Sequence, residues 1–143
     1  MALANVMLVD DEVPFVETMS KRLEKRNLNI QSAFSGKEAL EKLNGDGRVE
    51  VVILDVKMPE MDGIETLRQI KMQFPLVEVI MLTGHATVET GLDGMKLGAF
   101  DYLMKPCDMD VLIAKVDEAA AKKRKHEEKI IEARVKEITT RRT

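Results

Sequence analysis

The sequence predicts a doubly wound α/β domain built on a five-stranded parallel sheet. Three observations support this prediction: short apolar runs recur five times, amphipathic stretches separate them, and glycine or proline marks several connections. Repeated strand-then-helix units in one parallel sheet require right-handed crossovers. A chain of 143 residues suits one such domain with a short appendage.

The predicted strands are short apolar runs, several of them rich in Val and Ile. In chain order they are residues 6–9 (VMLV), 28–33 (LNIQSA), 49–54 (VEVVIL), 77–82 (VEVIML) and the weaker 100–104 (FDYLM). Runs of this composition favour buried parallel strands over half-exposed antiparallel ones, because parallel sheets are covered on both faces.

An amphipathic segment follows each strand, with apolar residues at the spacing of one helical face. The first four faces are Phe15, Val16, Met19 and Leu23; Ala39, Leu40 and Leu43; Ile64, Leu67, Ile70 and Phe74; and Val88, Leu92 and Met95. A fifth face begins with Leu112 and Val116. Pro14 falls in the first turn of the first helix, where proline is tolerated.

Two glycines, Gly91 and Gly94, fall inside the predicted fourth helix, where each costs about 1 kcal/mol relative to alanine. One interpretation is close packing of this helix on its neighbours. The other, which we favour, is a helix of low stability, as a moving part requires. The preference rests on Thr83 and Tyr102, which flank the helix in sequence.

The last helix is predicted to continue past residue 130, because strong helix formers dominate after Asp108 and no Pro or Gly follows. We assign residues 1–121 to the domain and 122–143 to a helical extension. Three apolar residues of the extension have the spacing of a short coiled-coil seam: Ile131, Val135 and Ile138. The sequence therefore predicts a homodimer through this helix, with a solvated, partly disordered extension as the alternative.

Charge and cysteine content exclude several classes of function. Residues 121–143 carry nine Lys and Arg against four Asp and Glu, so residues 1–120 carry a net charge of −8. Such a body disfavours binding to nucleic acid or anionic lipid. One Cys permits no internal disulfide, and the first residues do not resemble a signal peptide, which predicts a cytoplasmic location. No apolar run approaches the ~20 residues of a membrane span.

Polar residues follow four of the five predicted strands. They are Asp10 and Asp11 after the first, Asp55 after the third, Thr83 after the fourth and Lys105 after the fifth. In the flavodoxin-like strand order 2-1-3-4-5 these four strands are neighbours, and the second strand, whose end carries no charge, lies at an edge. Since ligands bind beyond the carboxyl ends of such strands, this order would gather all five residues in one site.

These residue types suit phosphoryl transfer. Paired carboxylates repel by about 4 kcal/mol at 4 Å and an effective dielectric of 20, so either their pKa values rise or a cation binds. Carboxylate ligands suit Mg²⁺, and an aspartate can itself be the nucleophile that forms an aspartyl-phosphate. Asp55, alone after the central strand, is the expected nucleophile, whereas Asp10 and Asp11 resemble a metal-binding pair.

Each of these residues also has an ordinary structural interpretation when it is taken alone. Asp10 and Asp11 can cap the first helix, and Asp55 can be a loop carboxylate before a turn. Thr83 can be a turn hydroxyl and Lys105 a solvated side chain. All of these interpretations would have to hold at once, whereas a single site explains the residues together.

Four segments resemble the motifs of response regulator receiver domains, in order and at family-like spacing. They are VDDE (9–12), LDVKMPEMDG (54–63), MLTGHA (81–86) and YLMKP (102–106). The resemblance covers residues 4 to roughly 120. It implies that Asp55 accepts phosphate from the phosphohistidine of a sensor histidine kinase, and that the chain is a signalling phosphoacceptor and not an enzyme with a substrate of its own.

The resemblance also implies the roles of individual residues. Mg²⁺ would be held by Asp10, Asp11, Asp55 and the backbone carbonyl of Lys57. Thr83 and Lys105 would bind the phosphoryl oxygens, Tyr102 matches the aromatic residue that changes rotamer on activation, and the Lys105–Pro106 peptide would be cis.

Residues 81–106 resemble in particular receivers of the nitrogen-regulation type, which precede sigma-54-activating ATPase domains. This similarity implies ATPase and DNA-binding output domains in a longer chain, with a stand-alone receiver as the alternative. It also implies a helical linker that takes part in dimerisation, together with the face formed by the fourth helix, fifth strand and fifth helix.

Three rival functions fit the sequence less well. A haloacid-dehalogenase-like phosphatase also uses an aspartate nucleophile, but its D-x-D motif follows the first strand. Here the candidate nucleophile follows the third strand, and Lys57 stands where the second Asp of that motif would be. A flavodoxin-like cofactor binder needs a phosphate-binding loop where this chain has the acidic VDDEVPF (9–15). A P-loop nucleotide switch needs a G-x-x-x-x-G-K-[ST] motif, which the sequence lacks.

Overall fold

The computed structural model describes residues 3–56, 62–84 and 88–141. Within these ranges five strands alternate with five helices, as predicted. They are β1 (Asn5–Val9), α1 (Val13–Glu24), β2 (Asn29–Ala33), α2 (Gly36–Gly45), β3 (Val51–Leu54), α3 (Gly63–Gln73), β4 (Glu78–Thr83), α4 (Val88–Lys96), β5 (Asp101–Met104) and α5 (Met109–Arg141).

The sheet has the order β2-β1-β3-β4-β5, and every pairing is parallel. The predicted flavodoxin-like order is therefore confirmed. All residues of β3 and β4 are buried, whereas the edge strands β2 and β5 are partly exposed. The register pairs Val9 with Leu54 and Leu54 with Met81, so the carboxyl ends of the central strands lie side by side.

The two faces of the sheet carry separate apolar cores, because successive strand residues point to opposite faces. Met7, Val52 and Met81 pack on one face with residues of α2 and α3. Val6, Ile53 and Ile80 pack on the other with residues of α1 and α5. Helices therefore cover both faces, which confirms the doubly wound architecture.

The prediction that Leu92 and Met95 of α4 face the core is wrong. Leu92 and Met95 are 56% and 47% exposed, so they do not pack on the sheet. The residue that faces the sheet is Gly94, where an added Cβ would lie 2.4 Å from the Sδ of Met81. The missing side chain lets the helix approach the sheet closely, and this explains Gly94 by packing. The low stability of α4 stays a prediction.

Helix α5 has 33 residues and runs past residue 130, as predicted. Its length is about 50 Å at 1.5 Å per residue, and its last turns have exposed side chains. Contacts with the rest of the domain continue beyond Ala121, since Arg124 reaches Glu50 beside β3.

None of the helices in the described part of the chain has both the length and the apolar character of a membrane span.

Two buried glutamates connect the amino edge of the sheet to α5. Glu50, 7% exposed, accepts hydrogen bonds at 2.6 and 2.9 Å from the guanidinium of Arg124. Glu78, 2% exposed, lies 3.3 Å from the ammonium groups of both Lys71 and Lys122. We call these three contacts the amino-edge ion pairs. The contacts of Arg124 and Lys122 join α5 to the sheet, whereas Lys71 belongs to α3.

Arg124→Ala should lower the free energy of unfolding by about 1–2 kcal/mol at pH 7, because Glu50 would lose its bidentate partner while the half-exposed guanidinium limits the loss. Burial raises the pKa of Glu50, but hydrogen bonds from Arg124 and the Asn5 N–H outweigh it, so the pKa lies below its usual value. Such a group stabilises the fold above its unfolded pKa and stops doing so as pH falls through the folded value.

The loss caused by Arg124→Ala should therefore shrink below about pH 4, near the unfolded pKa of glutamate. Urea unfolding of wild type and variant at neutral and acidic pH measures this difference. Arg134→Ala, on the exposed part of α5, is the matched control and should change stability by less than about 0.5 kcal/mol. Equal losses for the two arginine variants would contradict the assignment.

Candidate functional site

The backbone of the sheet brings the predicted site residues to one edge. Asp10, Asp55 and Lys105 each extend the parallel ladder by one residue, since their N–H groups donate to carbonyls of the neighbouring strand. The three N–H to O distances lie between 2.9 and 3.1 Å. Residues that follow three different strands are therefore held at the same level of the sheet, as the predicted strand order required.

The three aspartates form one acidic cluster. Each of Asp10, Asp11 and Asp55 offers an oxygen within 4.8 Å of the others. Asp10 and Asp55 are 1% and 3% exposed, whereas Asp11 is exposed. This set of hard oxygen donors, with a buried floor and an open side, fits Mg²⁺, which keeps several waters of its own. The fourth predicted ligand, Lys57, lies outside the described residues.

Lys105 points into this cluster. Its ammonium lies 2.5 Å from Asp10, 3.7 Å from Glu12 and 3.9 Å from the ring centre of Phe15. Burial lowers the pKa of Lys105, but the hydrogen bond to Asp10 and the charges of Asp10, Asp55 and Glu12 outweigh it, so the pKa is raised. The Lys105 ammonium therefore adds a positive charge to the cluster that contains the expected nucleophile.

The carboxylates of the cluster do not cap α1. The N-cap residue of α1 is Glu12, which makes no side-chain capping hydrogen bond, and Pro14 occupies the first turn as predicted. One oxygen of Asp10 accepts the N–H of Glu12 at 2.9 Å, which fixes the carboxylate from the side of the loop. The capping interpretation of Asp10 and Asp11 is therefore not supported.

Thr83 and Tyr102 flank α4 in the sequence, at the end of β4 and within β5. Thr83, the last residue of β4, is fully buried at the same edge as the acidic cluster. The hydroxyl of Tyr102 lies 2.9 Å from Oγ1 of Thr90 in α4, and a Cβ on Gly91 would lie 3.5 Å from the Tyr102 ring. The Lys105–Pro106 peptide is cis, as the family resemblance implied.

Gly63 permits the close approach of α3 to the expected nucleophile, a role that was not predicted. Its N–H donates to the carbonyl of Val56 at 2.6 Å. A Cβ at this position would lie 2.1 Å from the backbone oxygen of Asp55 and 2.4 Å from Cα of Val56. The preceding Asp62 caps α3 by accepting the N–H of Glu65. Only glycine fits between α3 and the strand end.

Curated proteins of similar sequence include transcriptional regulators. Transcriptional regulatory protein ZraR of Escherichia coli (strain K12) is 38% identical over 117 residues, which are 82% of this chain and 26% of that protein. DNA-binding transcriptional regulator NtrC of Proteus hauseri is 31% identical over 119 residues, 83% of this chain and 25% of that protein. The chain thus spans about a quarter of the length of these curated relatives.

Solved structures share the fold at similar identity. A response regulator receiver domain protein from Clostridium thermocellum gives a TM-score of 0.81 at 34% identity, covering 85% of this chain and 97% of its own. NtrX from Brucella abortus gives 0.80 at 31% identity, covering 90% of this chain and 29% of its own. The family model described as "Response regulator receiver domain" matches residues 6–117. The chain therefore belongs to the response regulator receiver domain family.

Proposed function

We propose that Asp55 accepts a phosphoryl group from a sensor histidine kinase, with Mg²⁺ held by Asp10, Asp11, Asp55 and the backbone carbonyl of Lys57. The observation that carries this proposal is the acidic cluster at the carboxyl edge of the sheet, with the Lys105 ammonium beside it. A buried nucleophile, an open metal side and a fixed cation are the parts that phosphoryl transfer needs.

The transfer follows from the charges around Asp55. A carboxylate oxygen of Asp55 attacks the phosphorus of the phosphohistidine, and the P–N bond breaks as the O–P bond forms. Mg²⁺, when bound, neutralises charge on the phosphoryl oxygens and on the carboxylates. Lys105 and Thr83 receive phosphoryl oxygens as hydrogen-bond donors, which orients the group. Positioning and charge neutralisation are the main requirements of this reaction.

Phosphorylation is proposed to act on α4 through Thr83 and Tyr102. Thr83 moves toward the new phosphoryl oxygens, Tyr102 fills the vacated space and α4 shifts. Because the Tyr102 hydroxyl contacts Thr90, a change in Tyr102 reaches α4 directly. Driving a two-state element from 1:99 to 99:1 takes about 5.5 kcal/mol. A charge-assisted hydrogen bond contributes about 1.5–3 kcal/mol of this.

Incubation with acetyl phosphate and Mg²⁺ tests the proposal, with intact mass spectrometry as the measurement. We expect one phosphate that is stable in acid, labile in base and absent when EDTA removes the metal. No gain of phosphate under these conditions would contradict the phosphoacceptor. For the switch, NMR with beryllofluoride should show its largest changes in residues 83–105, and changes confined to residues 10–12 and 55–60 would contradict it.

The output of the switch is proposed to be transcription, in the cytoplasm. Two relatives are named as transcriptional regulators, and this chain matches about a quarter of each. We therefore place this domain before a sigma-54-type ATPase and a DNA-binding domain of a longer chain. The net charge of −8 on residues 1–120 assigns contact with nucleic acid to such an output domain and not to the receiver itself.

A homodimer is proposed to form through two apolar surfaces. The first is the extension of α5, with these exposed side chains: Ile130, Ile131, Val135 and Ile138. The second is the face of α4, β5 and α5, with these: Leu92, Met95, Met104 and Val111. A second copy of the chain would cover both surfaces, because the same apolar residues face each other across a two-fold axis.

The double variant Ile131→Glu with Val135→Glu should weaken the dimer strongly, because it places like charges in the apolar seam. Sedimentation equilibrium at micromolar concentrations gives the mass of each species. The matched control is Ala133→Glu with Thr140→Glu, which adds the same charges to the opposite side of the helix and should leave the dimer unchanged. Equal masses for wild type and both double variants would contradict the role of the seam.

A further inference from the structure

Phe15 occupies a position between the core and the acceptor site. It lies in the first turn of α1, on the same helical face as Val16, Met19 and Leu23. These three side chains are buried, whereas Phe15 is only partly buried. The ring of Phe15 instead lies against the Lys105 ammonium, with Nζ 3.9 Å from its centre.

The contact between Phe15 and Lys105 is a cation–π interaction in a partly desolvated place. The face of an aromatic ring carries partial negative charge and attracts an ammonium group within about 6 Å. The Lys105 side chain is 17% exposed, so water screens this attraction only partly. Glu12 attracts the same ammonium from 3.7 Å, but its own side chain is largely exposed. Phe15 and Asp10 are therefore the principal partners of the ammonium.

Asp10 is shared between Lys105 and the acidic cluster. One oxygen of Asp10 accepts the N–H of Glu12 and the other accepts the ammonium of Lys105. A divalent cation that binds Asp10, Asp11 and Asp55 is repelled by the Lys105 ammonium, because that ammonium is already bound to Asp10. Every contact that keeps Lys105 against Asp10 thus opposes the binding of a cation to the cluster.

The geometry points to Phe15 as a positioning residue that holds Lys105 against Asp10 and thereby lowers the affinity of the acidic cluster for Mg²⁺. This inference rests on the proposed function, because it assumes that the cluster binds Mg²⁺. Phe15, an apolar residue of α1, would thereby influence both the affinity for the metal and the release of Lys105 toward a phosphoryl group. Phe15 acts through Lys105 and touches neither the metal nor the phosphate.

Phe15→Leu keeps the apolar bulk and removes the ring. We expect this variant to bind Mg²⁺ about two- to fivefold more tightly than wild type, the range that a partly desolvated cation–π contact supplies. Phe15→Tyr, which restores an aromatic face, should return the affinity to the wild-type value. Phe100→Leu is the matched control, since Phe100 lies 5.7 Å from a different ammonium, that of Lys122, and should leave Mg²⁺ affinity unchanged.

The same substitution in a Lys105→Met background separates positioning from packing. If Phe15 acts through Lys105, Phe15→Leu should not change Mg²⁺ affinity once the ammonium is gone. An equal change in both backgrounds would show that the ring acts by packing alone and would overturn the inference. An unchanged or weaker affinity of Phe15→Leu in the wild-type background would also overturn it.

A measurement without metal distinguishes failure of this inference from failure of the proposed function. In the metal-free wild type, NMR should show the ε-methylene protons of Lys105 shifted upfield by the ring of Phe15, and Phe15→Leu should abolish this shift. Absence of the shift in wild type would overturn the inference whatever the metal does. Failure of wild type to bind Mg²⁺ while the shift is present would overturn the inferred effect on metal binding together with the proposed function.

Discussion

An Asp55→Asn variant should accept no phosphate from acetyl phosphate at Mg²⁺ concentrations that phosphorylate the wild type fully. The carboxamide of asparagine is not a nucleophile at phosphorus, so the expected loss is complete. The fold should survive, because the two side chains have nearly the same volume and the substitution removes a charge that repels Asp10 and Asp11. Intact mass spectrometry and thermal unfolding measure the two effects.

Asp62→Asn is the matched control for this experiment. Asp62 is also close to the strand end, but it caps α3, and asparagine caps helices about as well as aspartate. The control should therefore become phosphorylated to the wild-type extent. Stoichiometric phosphate on Asp55→Asn would show that the acceptor is a different residue and that the site is wrongly assigned.

Gly63→Ala should destabilise the domain by about 1–3 kcal/mol, the usual cost of forcing an extra carbon into a packed place. The added Cβ would meet the backbone of Asp55 and Val56 at 2.1 and 2.4 Å, and backbone cannot rotate away as a side chain does. The α3 terminus or the Asp55 backbone must move, so phosphorylation should slow as well. Urea unfolding and the rate of phosphate gain measure the two effects.

Gly45→Ala provides the matched control, because a Cβ on Gly45 has no atom within 4 Å. Alanine in that last turn of α2 should be neutral or stabilising by up to about 1 kcal/mol. If Gly63→Ala were as stable and as readily phosphorylated as Gly45→Ala, the close approach of α3 to Asp55 would not be required by the domain.

The fold and most of the candidate site could be predicted because both depend on local patterns. Apolar runs of strand length predicted the strands, and the polar residues that follow them predicted the members of the site. Asp10, Asp55 and Lys105 are near each other because parallel strands end at one edge, which needs only the strand order. The backbone carbonyl of Lys57 stays a prediction, as it lies outside the described residues.

The orientation of α4 could not be predicted from its apolar residues. A helical face is normally recognised by large apolar side chains, and Leu92 and Met95 provided one. The face that packs on the sheet instead contains Gly94, which has no side chain and contributes nothing to an apolar pattern. The one sign of this orientation in the sequence was Gly94 itself, and of its two interpretations close packing was the correct one.

Contacts between distant parts of the chain were also missed. Glu50 and Glu78 interrupt two otherwise apolar runs, but neither was assigned a partner from the sequence, and Arg124 lies 74 residues from Glu50. Likewise the face of Phe15 was predicted from its neighbours in α1, whereas its contact with Lys105 depends on the end of β5. Local spacing cannot identify partners that only the tertiary fold brings together.

The amino-edge ion pairs hold α5 at the end of the sheet opposite the acidic cluster. From Arg124, where the guanidinium holds the sheet, to Arg141 the helix rises about 26 Å. A tilt of roughly 10° at Arg124 would carry the far end through about 4–5 Å, by the same helical rise. Small adjustments of Glu50 and Glu78 would therefore produce larger displacements near Arg141.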